Sequence, residues 1–163
     1  MSEEIEIIDS TNMEILSEFP VEYDEDELKS PSSTNIKNYF IKASDRWIVF
    51  TANSKGSDEA VGDVAFERSS FKQLSQELEA VLAGKLYEEK LDALIFENGR
   101  DKMIISATRN LPLNQFAWVN RVNVSNLREI ELDEIEYGSL SLPVEAARKL
   151  HREMQRLISK GKI

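Results

Sequence analysis

The chain has 163 residues, 41% hydrophobic and 31% charged, with no cysteine and one histidine. That length suits one domain with an ordinary core, and the missing cysteines remove disulfides, thiolate metal sites and cysteine nucleophiles together. The formal charge of -10 is lopsided: residues 1–28 hold 11 acids and no base, which leaves 19 acids against 20 bases, or +1, from Lys29 onward.

Residues 1–35 read as an acidic, partly disordered N-terminal arm, with linker chemistry in EYDEDELKSPSSTN. Such a block is usually solvated, and it can also mimic a polyanion or recruit a basic partner. Ile5, Ile7, Ile8, Met13, Ile15, Leu16 and Phe19 would let part of it dock as a strand. The opening MSEEIEIID has no positive n-region, and no segment approaches the ~20 apolar residues of a membrane span. The reading is a cytoplasmic or nuclear protein with no membrane partner.

Residues 36–163 read as a single α+β domain. NYFIKASDRWIVFTAN reads as a hairpin turning at Ala43–Arg46, and Val61–Phe66 as a further strand. A helix follows from about Ser70 to Ala83, with Ser69 or Ser70 as N-cap. Phe71, Leu74, Leu78, Val81 and Leu82 form its stripe, and Gly84 its stop. The second half opens with a hairpin of Leu91–Phe96 and Met103–Thr108 around Asn98-Gly99, the strongest turn signal in the chain. NQFAWVNRVNV reads as the next strand and REIELDEIEYGSLSL as one or two more. Pro143 then opens a helix with the stripe Val144, Ala147, Leu150, Met154, Leu157 and Ile158. That spacing suits packing on a sheet and also a helix-paired homodimer.

The fold class read from this is α+β, with antiparallel sheets each backed by one amphipathic helix. Half-repeats 36–85 and 86–163 follow a candidate β-β-β-β-α plan, provided the arm lends the first half a strand. Sliding the halves by 76 residues aligns Gly62 with Gly138, Leu74 with Leu150 and Leu78 with Met154.

Catalytic signatures are missing. Six glycines form no phosphate loop, nothing matches GxSxG, and a triad or zinc site would need His151, which reads as a helix-surface or capping residue. Glu88-Glu89, Glu129/Glu131 and Asp133-Glu134 read as solvated strand or turn positions rather than acid–base or cation sites, with Glu129, Glu131 and Asp133 on one strand face. The chain is therefore read as no enzyme, with no cofactor and no metal.

The strands do mix rings and cations, the combination that holds single-stranded nucleic acid through base stacking and phosphate contacts. Alternation puts Arg46, Ile48 and Phe50 on one face and Trp47, Val49 and Thr51 on the other; Phe116, Trp118 and Asn120 share a face opposite Ala117, Val119 and Arg121. The candidate site is Lys37, Lys42, Arg46, Trp47, Arg100, Lys102, Arg109, Phe116, Trp118 and Arg121. The competing reading of each aromatic is core between sheet and helix.

Asn38–Lys42 with Asp45–Val49, Leu94–Arg100 with Lys102–Ile105, and Ser139–Pro143 running into a helix resemble the PUR repeat family and the related Whirly fold. The resemblance implies paired repeats of four strands and a helix that bind single-stranded DNA or RNA. The function expected is a non-enzymatic single-stranded nucleic-acid binder. The alternative is an acidic protein-interaction module, of inhibitor, immunity or adaptor type, that meets a basic protein partner.

Overall fold

The computed structural model describes residues 12–22, 36–54, 60–110, 118–131 and 134–163. The elements run β1 (Glu14–Glu22), β2 (Ile36–Ala43), β3 (Trp47–Ser54), β4 (Ala60–Glu67), a 3-10 turn, α1 (Phe71–Leu82), a single turn α2 (Lys85–Glu88), β5 (Ala93–Asn98), β6 (Asp101–Asn110), β7 (Trp118–Glu131), β8 (Glu134–Pro143) and α3 (Val144–Ser159). Four strands and a long helix therefore occur twice in succession. The strands form one antiparallel sheet in the order β1-β2-β3-β4-β8-β7-β6-β5, so the two sets of strands join rather than standing apart.

β1 lies inside the segment read as an arm. It pairs along its length with β2 and contributes Phe19 and Val21 to the core, Phe19 stacking on Tyr39 at 5.5 Å. The rest of that arm, residues 1–11 and 23–35, falls outside the described residues.

The sheet's two halves meet between β4 and β8, where Asp63 pairs with Ser139. Glycine eases this close approach. A Cβ on Gly138 would stand 3.2 Å from the Asp63 carbonyl oxygen and 3.3 Å from the Val64 Cα, and one on Gly62 would stand 3.3 Å from the Ser139 carbonyl oxygen. Beyond it β4 crosses toward the other half. The Asn126 amide donates to the Ala65 carbonyl at 2.8 Å, and the Glu67 N–H donates to Asp101 Oδ2 at 2.7 Å.

Both long helices lie on one face of the sheet, and each reaches beyond its own half: α1 packs on β6 and α3, and α3 packs on β1, β7 and β8. Phe71, Leu74, Leu78 and Val81 of α1 and Ala147, Leu150, Met154 and Leu157 of α3 are sealed in a single core with Ile48, Phe50, Val64, Phe66, Met103, Ile105, Val122, Val124, Leu140 and Leu142. The α3 stripe is thus consumed by the protein's own sheet. Phe50 meets Phe66 and Phe71 edge-on, at 5.0 and 6.2 Å, the geometry aromatic quadrupoles favour.

Local signals explain the ends of the elements. Gly84, at φ +88, lets the chain leave α1, and Gly99, at φ +59, takes the first central position of the two-residue β5–β6 hairpin. Ser70 occupies the N-cap of α1 but does not cap it; its hydroxyl donates to Asp101 Oδ2 at 2.9 Å instead. Pro143 stands one residue earlier than an N1 proline, at the N-cap of α3.

Candidate nucleic-acid interface

On a strand, alternate residues face opposite sides, so the core residues identify the helix-free face by elimination. It carries Phe40 and Lys42 from β2; Trp47, Val49 and Thr51 from β3; and Asp63 from β4. From the second half it carries Ile95 and Glu97 from β5; Lys102, Ile104, Ser106 and Thr108 from β6; Arg121, Asn123, Ser125 and Leu127 from β7; and Tyr137, Ser139 and Ser141 from β8.

The first half of this face is closed. Trp47 was expected to present its ring for stacking; it is 3% exposed. The Arg128 guanidinium lies 3.9 Å from its ring centroid and that of Arg46 4.6 Å. Arg46 is further engaged by Glu67, its Nη2 donating to Oε1 at 2.8 Å. The cause is the strand crossing: the far end of β7 comes against β3, and Trp47 is covered by a residue from the other half. Val49 and Thr51 are buried too, so β3 is buried on both faces. Phe40 remains half-buried, with the Lys42 ammonium 5.5 Å from its ring. Exposed Glu18 stands opposite it on β1.

Among the described residues the second half is mostly uncharged and less closed, with Ile95, Tyr137 and Ser141 exposed and Ser125 buried. Cross-strand register places Ser106, Asn123 and Ser141 in one row, and Ile95, Ile104, Ser125 and Ser139 in the next. Ser125 Oγ donates to Ser139 Oγ at 3.2 Å. Cations lie toward the two ends. Arg121 Nη1 donates to Ser141 Oγ at 3.1 Å, and exposed Lys102 lies about six residues, roughly 20 Å, further along the strands. Glu97 pairs with Lys102 across β5–β6, and Asp63 adjoins Ser139. Tyr137 is 63% exposed on this face. Hydrogen bonds from Ser139 and Ser125 hold its hydroxyl below the usual phenol pKa.

The expected residues therefore divide. Lys42, Lys102 and Arg121 share the helix-free face; Lys37 shares the parity of Tyr39 and Ile41 and belongs to the helix side; Arg46 sits at the β2–β3 turn and Arg100, exposed, at the β5–β6 turn. Phe116 lies outside the described residues, as do the side chains of Arg109 and Trp118. The backbones of Arg109 and Trp118 flank an irregularity in β6–β7 pairing, where Thr108 pairs with Arg121 and Arg109 with Val119. That extra residue interrupts the simple alternation expected for Trp118 through Arg121. The side chains of Glu129, Glu131 and Glu134, and all of Asp133, also lie outside the described residues. Glu88 and Glu89 are exposed, Glu89 paired with Lys85 at 3.6 Å.

Sequence reasoning missed Tyr137 and Phe40. The signal for Tyr137 was present: it shares strand parity with Ser139 and Ser141, opposite Leu140 and Leu142, and an aromatic on the polar side of an alternating strand is exposed.

His151, expected on a helix surface or at a cap, lies at the α1–α3 contact. Burial lowers its pKa below 6.5 despite the nearby Glu79 and a hydrogen bond to the Ser75 backbone. Among the described residues, no group of three or more His, Cys, Asp or Glu is arranged to hold a metal ion, and no helix is long and apolar enough to cross a membrane.

No protein family and no curated protein matches the chain. Among solved structures it is similar to a guide-RNA-binding protein complex bound to a guide RNA, with a TM-score of 0.44 and 12% identity over 89% of this chain and 91% of that one. It is also similar to MRP1/MRP2 of Trypanosoma brucei, with a TM-score of 0.44 and 9% identity over 89% of this chain and 85% of that one.

Proposed function

We propose that this protein is a non-catalytic module that binds single-stranded DNA or RNA on the helix-free face of β5–β8. The observation that carries the reading is the composition of that face. Among the described residues no helix covers it, its floor is built of serine hydroxyls and an asparagine amide with an exposed tyrosine, and Lys102 and Arg121 stand toward its two ends. Hydroxyls and amides can hydrogen-bond base edges, an exposed ring can stack on a base, and flanking cations can meet phosphates. Lys42 and Arg100 extend the cationic margin. Arg109, Phe116 and Trp118 belong to the reading by their place in the sequence around the start of β7.

The test is a fluorescence-anisotropy titration of the full chain against a labelled single-stranded 20-mer and the matching duplex. Salt-sensitive uptake of the single strand in preference to the duplex is the expected result. No salt-sensitive uptake of any single strand refutes the reading.

A further inference from the structure

α3 runs past β1 in the opposite direction. The Lys149 ammonium donates to the Pro20 carbonyl at 3.0 Å, and one turn later the Ser17 hydroxyl donates to Glu153 Oε1 at 2.6 Å. From Glu153 to Lys160 the helix advances roughly 10 Å, the length of about three strand residues, so its end comes level with the start of β1 at Glu14. A second contact fixes the same corner. The Arg68 guanidinium donates from Nη1 to the Ser44 carbonyl at 2.8 Å and from Nη2 to the Lys162 carbonyl at 2.6 Å, which holds the end of α3 against the β2–β3 turn. Ala43, just before that turn, pairs with Glu14.

Four parts of the chain thus bring cations together. Among the described residues the corner carries exposed Arg46, Lys72, Lys160 and Lys162 and half-buried Lys42, Arg68 and Arg156. Its acids are exposed Glu14 and Asp45, with Glu67 held by Arg46 and Glu153 by Arg156. Seven cations against four acids leave an excess of three on a molecule whose formal charge is -10. The segment that joins the chain at this corner has the complementary charge. Residues 1–11 hold Glu3, Glu4, Glu6 and Asp9 and no Lys or Arg, and Asp9 is only three residues from Asn12. Nine residues of chain reach up to roughly 30 Å, so Glu3 as well as Asp9 can span the corner. Single exposed ion pairs are weak, but attachment at Asn12 keeps all four carboxylates at high local concentration. Ile15, 51% exposed at the start of β1, adds an apolar contact point for Ile5, Ile7 and Ile8. The other acidic run, Asp24–Glu27, joins at the far end of β1, where Glu22 pairs with Ile36.

We propose that the acidic segment Glu3–Asp9 of this chain docks across the corner between the β2–β3 turn and the end of α3, its carboxylates meeting Lys72, Lys160 and Lys162. The inference stands apart from the nucleic-acid reading. Docked there, the segment cancels the excess of cations and closes the corner to other polyanions.

The chain has no cysteine, so Ser2→Cys carries a single nitroxide on the full chain. The readout is the broadening of amide resonances in isotope-labelled protein. It is compared at about 10 mM salt, where the Debye length is roughly 30 Å, and at about 1 M, where it is roughly 3 Å. Amides of residues 44–46 and 160–162 should broaden about twofold more at low salt than at high salt, because screening releases the segment. Glu3→Gln/Glu4→Gln/Glu6→Gln/Asp9→Asn should remove this difference and Lys160→Gln/Lys162→Gln should reduce it. Asp24→Asn/Glu25→Gln/Asp26→Asn/Glu27→Gln should leave it unchanged. Equal broadening in the parent and the chain neutralised at positions 3, 4, 6 and 9 means that attachment alone keeps the segment near, and overturns the docking. Strongest broadening around Arg148 and Arg152 overturns it too. The same broadening with nitroxide and isotope on different copies makes a second copy the occupant, and also overturns it.

Discussion

Gly62 and Gly138 flank the Asp63–Ser139 pair at the β4–β8 junction, Gly62 against Leu140 and Gly138 against Val64, and a side chain on either would crowd backbone of the opposing strand. The two positions also coincide when one half of the sequence is slid over the other. One close approach thus makes a single sheet of two four-stranded sets and turns β4 across toward β6 and β7.

Gly138→Ala should lower stability by about 1–3 kcal/mol, because the obstructing atoms are backbone and cannot swing aside as a side chain would. Urea unfolding monitored by circular dichroism measures it. A loss no larger than that of an alanine at exposed Ser141 would mean that the strands part easily.

The crossing is fixed by Asp101, 1% exposed, which accepts from the Glu67 N–H, the Ser70 hydroxyl and, at 3.0 Å, the Asn126 amide. Asp101→Ala strands three buried donors and should cost about 2–4 kcal/mol, with Asp101→Asn costing less because one carbonyl acceptor survives. Equal midpoints for the two variants would contradict this.

Trp47, covered by Arg46 and Arg128, should be hidden from solvent. In a Trp118→Phe variant the remaining indole should emit at short wavelength and resist acrylamide quenching. Trp47→Ala should cost about 3–5 kcal/mol, as for other buried aromatics. Free quenching would reopen the ring as a ligand contact.

The His151 prediction follows from the direction of its shift. Its folded pKa lies below the 6.5 of the unfolded chain, so between the two values the unfolded state holds more protons. Stability is fully present above about pH 6.5 and declines as pH falls through that window. His151→Gln should flatten this decline. Glu153, lowered chiefly by its hydrogen bond to Arg156, acts in a separate window, its contribution lost as pH falls below about 4.5. Thermal midpoints at half-unit pH steps separate the two.

Local physics made much of this structure readable. Phe71, Leu74, Leu78 and Val81 announce α1 by spacing alone, Leu150, Met154 and Leu157 announce α3, and Asn98-Gly99 announces the β5–β6 hairpin. Trp47 was not readable, because the residue that covers it is Arg128, 81 positions away, and alternation says which side of a strand a ring takes but not what lies opposite. The same ignorance hid the closure of the first half's helix-free face and shifted the candidate site toward β5–β8. Ser70 carried a true capping signal, but a buried carboxylate outcompeted the helix end for its hydroxyl.

Among the described residues a further cationic surface is the solvent side of α3, where Arg148 and Arg152 are exposed. The most direct measurement is the dependence of log affinity on log salt for a single-stranded 20-mer, compared among the parent, Lys102→Gln/Arg121→Gln and Arg148→Gln/Arg152→Gln. The sheet-face pair should make the slope shallower by about 1.4, near 0.7 for each phosphate contact removed, while the helix pair leaves it unchanged. A slope altered only by the helix pair would contradict the account and move the ligand to the other side of the molecule.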